Sequence, residues 1–170
     1  CAFRCARTTR LGKLQETSRF FGFDSFDGFG DISDKDHHPF FTDENFAVSL
    51  KNVHKRLNRI KKPNQMLRLV KGFFSKTLDG ETASTYKIQK SSVVLIDCDT
   101  YDAARSCFRF IGPVIQEGTI IIIDDFYNYK GNSRKGTYGA FQDFLKEYNK
   151  YQFRRIFDYG IGGISYIAYK

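Results

Sequence analysis

Within Gly118-Thr-Ile-Ile-Ile-Ile-Asp-Asp-Phe-Tyr127, four consecutive isoleucines, Ile120 to Ile123, follow a glycine and run straight into Asp124 and Asp125. An unbroken β-branched run reads as a strand buried on both faces, the pattern of a parallel sheet covered by helices. Carboxylates at the C-terminal end of such a strand lie where open α/β sheets bind ligands. A second stretch, Ser91-Ser-Val-Val-Leu-Ile-Asp-Cys-Asp99, repeats the plan: Val93 to Ile96 form the apolar run, and Asp97 and Asp99 close it. Two such parallel strands side by side bring Asp97, Asp99, Asp124 and Asp125 to one rim, where like charges repel unless a cation neutralises them.

Outward from these strands the chain alternates. A helix is expected over Tyr101–Ile111, with Ala104, Cys107, Phe108 and Ile111 inward and Pro113 as its stop. Downstream, Tyr127–Lys135 reads as a polar loop. Tyr138–Tyr148 reads as a helix with Phe141, Phe144, Leu145 and Tyr148 on one face. Tyr151–Asp158 and Gly163–Tyr169 read as a closing hairpin around Gly160 and Gly162. Upstream, Ser18–Asp24 is a strand ending on an acid, and Ser25–Gly30 is its glycine-rich exit. Asp31–Thr42 is a polar flap that carries His37 and His38. Phe46, Leu50, Val53, Leu57 and Ile60 recur at helical spacing, which predicts an amphipathic helix over Glu44–Ile60. Met66–Gly72 is the next strand, and Phe73 and Phe74 lead into a helical turn over Ser75–Leu78. The expected architecture is α/β: a Rossmann-like three-layer sandwich with a mostly parallel sheet and a C-terminal antiparallel hairpin, in a single domain over residues 1–170.

The composition suits a folded core, with 41% hydrophobic residues, 18 Phe and 10 Tyr, and argues against disorder. No apolar run approaches the roughly 20 residues of a membrane helix, and the start lacks the apolar segment of a signal peptide. The net charge of +8 is spread along the chain, with local clusters at Arg4–Lys13 and Lys51–Lys62. A nucleic-acid reader concentrates its charge on one face or carries a known module, so no nucleic-acid partner is expected. Cys1, Cys5, Cys98 and Cys107 lack zinc-type spacing and read as packed free thiols of a reducing compartment, hence a cytoplasmic location.

Four motifs occur in order: Gly22-Phe-Asp-Ser-Phe-Asp-Gly28, Val70-Lys-Gly-Phe-Phe-Ser-Lys-Thr-Leu78, Ile96-Asp-Cys-Asp-Thr-Tyr101, and Gly118 to Phe126. Together they resemble the macrocin O-methyltransferase family, a branch of the class I S-adenosylmethionine-dependent methyltransferases, over Arg19 to Lys170. The resemblance implies methyl transfer from S-adenosylmethionine to a hydroxyl of a small molecule or glycan, with a bound Mg2+. The family pattern also has a first strand and a glycine-rich turn ahead of the helix in which Cys1 falls. Neither is in this sequence, and Gly12, Gly22, Gly28 and Gly30 do not substitute, so the chain reads as an N-terminally incomplete methyltransferase-like domain.

The resemblance assigns roles residue by residue. Asp24, with help from Ser25, would accept hydrogen bonds from ribose hydroxyls; the alternative is a turn or capping aspartate. Gly72 would admit the cofactor, and Phe73 and Phe74 would cover the adenine; a core role is the alternative. Asp97, Asp124 and Asp125 would be the Mg2+ ligands, the alternative being a capping Asp125 and a solvated Asp97, and Asp97 would also stand beside the cofactor. Mg2+ takes hard oxygen ligands and leaves sites for two adjacent substrate hydroxyls, one of which it activates. Asp99 is first a helix N-cap before Tyr101, with a ligand or the general base as the alternatives. His37 and His38 are the flap's candidate bases. The more distant metal-dependent catechol methyltransferases place a lysine three positions after the first aspartate; Thr100 stands there, which excludes that base. Two other readings stay open. One is a non-catalytic methyltransferase-like domain. The other is a glycosyltransferase that uses Asp97-Cys-Asp99 as a metal-binding D-x-D motif. A homo-oligomer is allowed, and the sequence does not dictate one.

Overall fold

The computed structural model describes residues 19–34, 36–39, 41, 46–60, 65–79 and 81–170. Its elements in chain order are β1 (Arg19–Asp24), α1 (Leu50–Ile60), β2 (Met66–Lys71), α2 (Phe74–Thr77), β3 (Ser91–Ile96), α3 (Tyr101–Ile111), β4 (Ile115–Ile123), α4 (Gly136–Glu147), β5 (Gln152–Tyr159) and β6 (Gly163–Tyr169). They fall into two compact units. One holds residues 19–31 and His38–Phe73; the other holds Ile32–His37 and Phe74–Lys170.

In the first unit β1 and β2 pair in parallel, in register from Arg19 opposite Met66 to Asp24 opposite Lys71. The ladder runs one step further, with the Gly72 N–H donating to the Asp24 carbonyl at 2.9 Å. Helix α1 buries Leu57 and leaves Lys51, Lys55, Arg56 and Arg59 in solvent. It starts later than its apolar period suggests. Ser49 accepts the first helical bond, from Val53 N–H at 3.1 Å, and serine is a favoured N-cap. Residues 47–49 therefore lie outside the helix, and the expected start at Glu44 lies outside the described residues.

In the second unit the strand order is β3-β4-β6-β5. β3 and β4 are parallel, with Val93 opposite Ile120 and Ile96 opposite Ile123; β6 joins β4 and β5 antiparallel to both. The C-terminal antiparallel hairpin is present, and the fold is mixed α/β. Ile121 and Ile123 are fully buried, and Ile120 and Ile122 are half-buried. Strand β4 begins at Ile115, five residues before the isoleucine run. Ile115 pairs with Ser91, the register then shifts around Gly118, and buried Thr119 closes the step by donating to the Ser91 carbonyl at 2.6 Å. Val93 is half exposed, because β3 is the outermost strand of this sheet.

Helices α3 and α4 lie against one another and share an aromatic core with the sheet. Phe108 stacks on Phe144 at 5.1 Å between centroids, and Phe141 packs on Tyr166 of β6 at 4.7 Å. Each buried Phe contributes about 1.5–3 kcal/mol over an exposed one, and this cluster holds the two helices whose N-termini flank the acidic rim. Cys107 is half-buried, and Ala104, Phe108 and Ile111 are buried as expected.

Candidate active site at the acidic rim

The parallel register carries β3 and β4 to their ends together. Asp124 N–H donates to the Ile96 carbonyl at 2.8 Å, so Asp97 and Asp124 lie level as the strands finish. Beyond that point both chains turn sharply. Asp99 has φ 58° and Asp125 has φ 52°, left-handed backbone that costs a non-glycine residue about 1 kcal/mol or more. These turns aim Asp97, Asp99 and Asp125 at one place: one carboxylate oxygen from each lies within 4.8 Å of the others.

Three carboxylates at that spacing cannot all ionise cheaply, since two like charges about 4 Å apart near a protein surface repel by about 4 kcal/mol. Burial, together with the charge of Asp125 and a hydrogen bond to it, pushes the Asp99 carboxyl up to about 8. Burial, then Asp124 and Asp125, raises Asp97 to about 6. The donor set is all hard oxygen, and the strain in protonation is what a divalent cation relieves. These residues fit Mg2+.

The convergent group differs from the expected one by one residue: Asp99 stands in it, and Asp124 does not. Asp124 Oδ1 accepts the N–H of Asp125 at 3.2 Å, and its side chain faces Tyr159. The Tyr159 hydroxyl is shielded from solvent and has no acceptor in good hydrogen-bonding geometry, although Asp124 is close enough to raise its pKa beyond the usual phenol range, with burial the larger cause. The Tyr159 ring is fixed by Gly163, where a Cβ would lie 2.4 Å from the ring. The N-cap reading of Asp99 is overturned. Thr100 is the cap residue of α3 and makes no side-chain capping bond; the Tyr101 N–H is taken instead by Asp36, 65 residues earlier. Sequence periodicity cannot see such a cap, and nothing local separates Asp36 from the solvated acids beside it. Tyr129 and Tyr159 were likewise unmarked.

The other candidates sit elsewhere. Asp24 ends β1 exposed, with Oδ1 accepting Phe26 N–H at 2.6 Å, which is the turn role; Gly72 lies beside it on the ladder. Ser25 Oγ donates to the Gly28 carbonyl at 2.5 Å and accepts from Asp27 N–H, so it shapes the exit loop. The Phe73 ring rests on Gly30, and Phe74 opens α2 half-buried. An exposed carboxylate beside a glycine at the end of a parallel pair fits a ribose. His37 is exposed, and His38 packs against Phe41 at 5.3 Å. Cys98 and Cys107 carry free thiols. Among the described residues no helix is long and apolar enough to cross a membrane.

Residues 8–150 match the family of macrocin O-methyltransferases (TylF). No curated protein sequence matches the chain. Among solved structures it is similar to the O-methyltransferase NovP, with a TM-score of 0.68 at 19% identity, over 86% of this chain and 58% of that one. It is similar to CalS11, a calicheamicin methyltransferase, with a TM-score of 0.73 at 19% identity, over 98% of this chain and 66% of that one. An apo structure of CalS11, described as a TDP-rhamnose 3′-O-methyltransferase, gives 0.63 at 17% identity. The chain thus spans between 58% and 66% of the length of these proteins, and at such identities the likeness shows the shared α/β fold. Since the family match covers 8–150 of 170 residues, the chain belongs to the macrocin O-methyltransferase (TylF) family.

Proposed function

We propose that this chain serves an S-adenosylmethionine-dependent, Mg2+-assisted O-methyltransferase that modifies one hydroxyl of a vicinal diol on a sugar or similar small molecule. The observation that carries the reading is the convergence of Asp97, Asp99 and Asp125 within 4.8 Å at the ends of two adjacent parallel strands. Family membership supports the transfer of a methyl group, and the sugar named for CalS11 supports the acceptor class.

Asp97, Asp99 and Asp125 would hold Mg2+, with Asp124 as the expected further ligand beside them. Bound Mg2+ supplies a Lewis acid that orients two hydroxyls and lowers the pKa of one. S-adenosylmethionine supplies an electrophilic methyl group; Asp24 would hold its ribose, Gly72 would admit it, and Phe73 would cover its adenine. Asp99 is a candidate base where Asp97, Asp124 and Asp125 take the ion, and a ligand otherwise, because a carboxylate bound to the cation loses its raised proton affinity. His37 and His38 are the second candidates, from the flap. The free thiols support a reducing, cytoplasmic setting.

Titration calorimetry of S-adenosylmethionine into the chain, with and without Mg2+, tests the proposal. Saturable binding is expected, with an acceptor diol adding heat only when Mg2+ is present. Binding of a nucleotide-sugar with no response to S-adenosylmethionine would overturn it in favour of the D-x-D glycosyltransferase reading.

A further inference from the structure

Asp36 has the most unusual environment of any acid described. It is fully buried, and it comes from the polar flap rather than from an element of the sheet or the helices. One carboxylate oxygen, Oδ2, accepts the N–H of Tyr101, the first residue of α3. The other, Oδ1, accepts the N–H of Gly136, the first residue of α4, at 3.1 Å. A single side chain thus caps two helices that start 35 residues apart (136 − 101), and both positive helix ends favour its charge. Its own carbonyl accepts the Tyr129 hydroxyl at 2.9 Å.

The two helix starts are also the far ends of the loops that present the rim. Asp97 and Asp99 lie within four residues of Tyr101, and the loop from Asp125 runs to Gly136. Around Asp36 these loops touch. A Cβ on Gly136 would fall 3.2 Å from the Asp99 carbonyl and 2.6 Å from the Tyr129 ring, so only glycine lets this backbone close on both. The strained turn at Asp99 therefore has Asp36 and Gly136 as its outer wall.

We propose that Asp36 is a positioning residue for the cation site: by tying the first amides of α3 and α4 together it sets the separation between the Asp97–Asp99 turn and the Asp125 loop. This rests on the reading of the rim as a cation site. Groups that hydrogen-bond metal ligands change affinity by about 10- to 100-fold when removed, and Asp36, one step further out, is expected at the low end. Neither capping bond involves a ligand side chain, so the effect passes through backbone placement alone.

The test is Mn2+ affinity, read by the paramagnetic resonance signal of free Mn2+, on the wild-type chain and on Asp36→Asn, with circular dichroism as the check on folding. Asp36→Asn is expected to keep the fold and bind Mn2+ about 10-fold more weakly. Ser106→Ala, which removes a buried hydroxyl bonded within α3, is expected to bind as wild type. Wild-type affinity in a folded Asp36→Asn chain overturns the inference while leaving the rim reading in place. A wild-type chain that does not bind Mn2+ overturns the rim reading, and the inference with it. If Asp36→Asn does not fold, Asp36→Glu takes its place: it keeps the charge and shifts the carboxylate off the two amides, weaker Mn2+ binding is expected, and unchanged binding in the folded variant overturns the inference.

Discussion

Asp99 and Asp97 carry protons at pH values where surface carboxylates have lost them. That property has a sign that can be measured. Below about pH 4 the Asp99 carboxyl is protonated whether the chain is folded or not, its unfolded value being 3.8. Between there and about 8 only the folded chain holds the proton, so the contribution of this group to stability falls as the pH rises and is gone above its folded value. Without a divalent cation the melting temperature of the wild type is expected to drop more steeply from pH 5 to pH 8 than that of Asp99→Asn. Saturating Mg2+ is expected to restore the wild type at pH 8 and to leave the variant nearly unmoved. Equal slopes in scanning calorimetry would show that Asp99 is not held in the way its surroundings imply. The acids themselves were legible, because an apolar run that ends in carboxylates has few other readings. The role of Asp99 was not: its local sequence is that of an N-cap, yet Thr100 is the cap residue and the Tyr101 N–H goes to Asp36 from the flap.

At the scale of the element, periodicity worked where one face is buried and failed where a local bond sets the boundary. Tyr101–Ile111 and Gly163–Tyr169 fall where the pattern puts them. Strand β4 starts early because polar Gln116 and Glu117 hide a pairing with Ser91 that needs a register shift, and α1 starts late because Ser49 caps it. The packing of α3 and α4 rests on Phe141, which is fully buried and touches Phe108, Phe144, Phe153 and Tyr166. Phe141→Ala is expected to cost about 3–5 kcal/mol in urea unfolding, from lost transfer energy and the cavity left behind. Lys71→Ala, which breaks an exposed ion pair with Asp27, is expected to cost less than about 1 kcal/mol. A Phe141 variant within about 1 kcal/mol of wild type would mean that the site collapses freely, and that this cluster does not hold the helices beside the rim.

For the whole molecule, the strands divide into a parallel pair, β1-β2, and the mixed sheet β3-β4-β6-β5. The α/β class and the closing hairpin were readable from alternation. The strand order was not, because β6 inserts between β4 and β5 through pairing that no local pattern encodes. The charge also divides by scale. The chain carries a net charge of +8, yet Asp97, Asp99 and Asp125 gather where the parallel strands end. Screening limits each charge to about 8 Å at physiological salt, so scattered lysines do not cancel the field that Asp97, Asp99 and Asp125 present to a cation. The most direct test of that site is transfer of labelled methyl from S-adenosylmethionine to sugars bearing vicinal diols, run with Mg2+ and with a chelator. Transfer is expected with Mg2+ and is expected to vanish with the chelator or in Asp125→Asn; transfer that persists at the same rate in both would contradict a catalytic cation at these carboxylates.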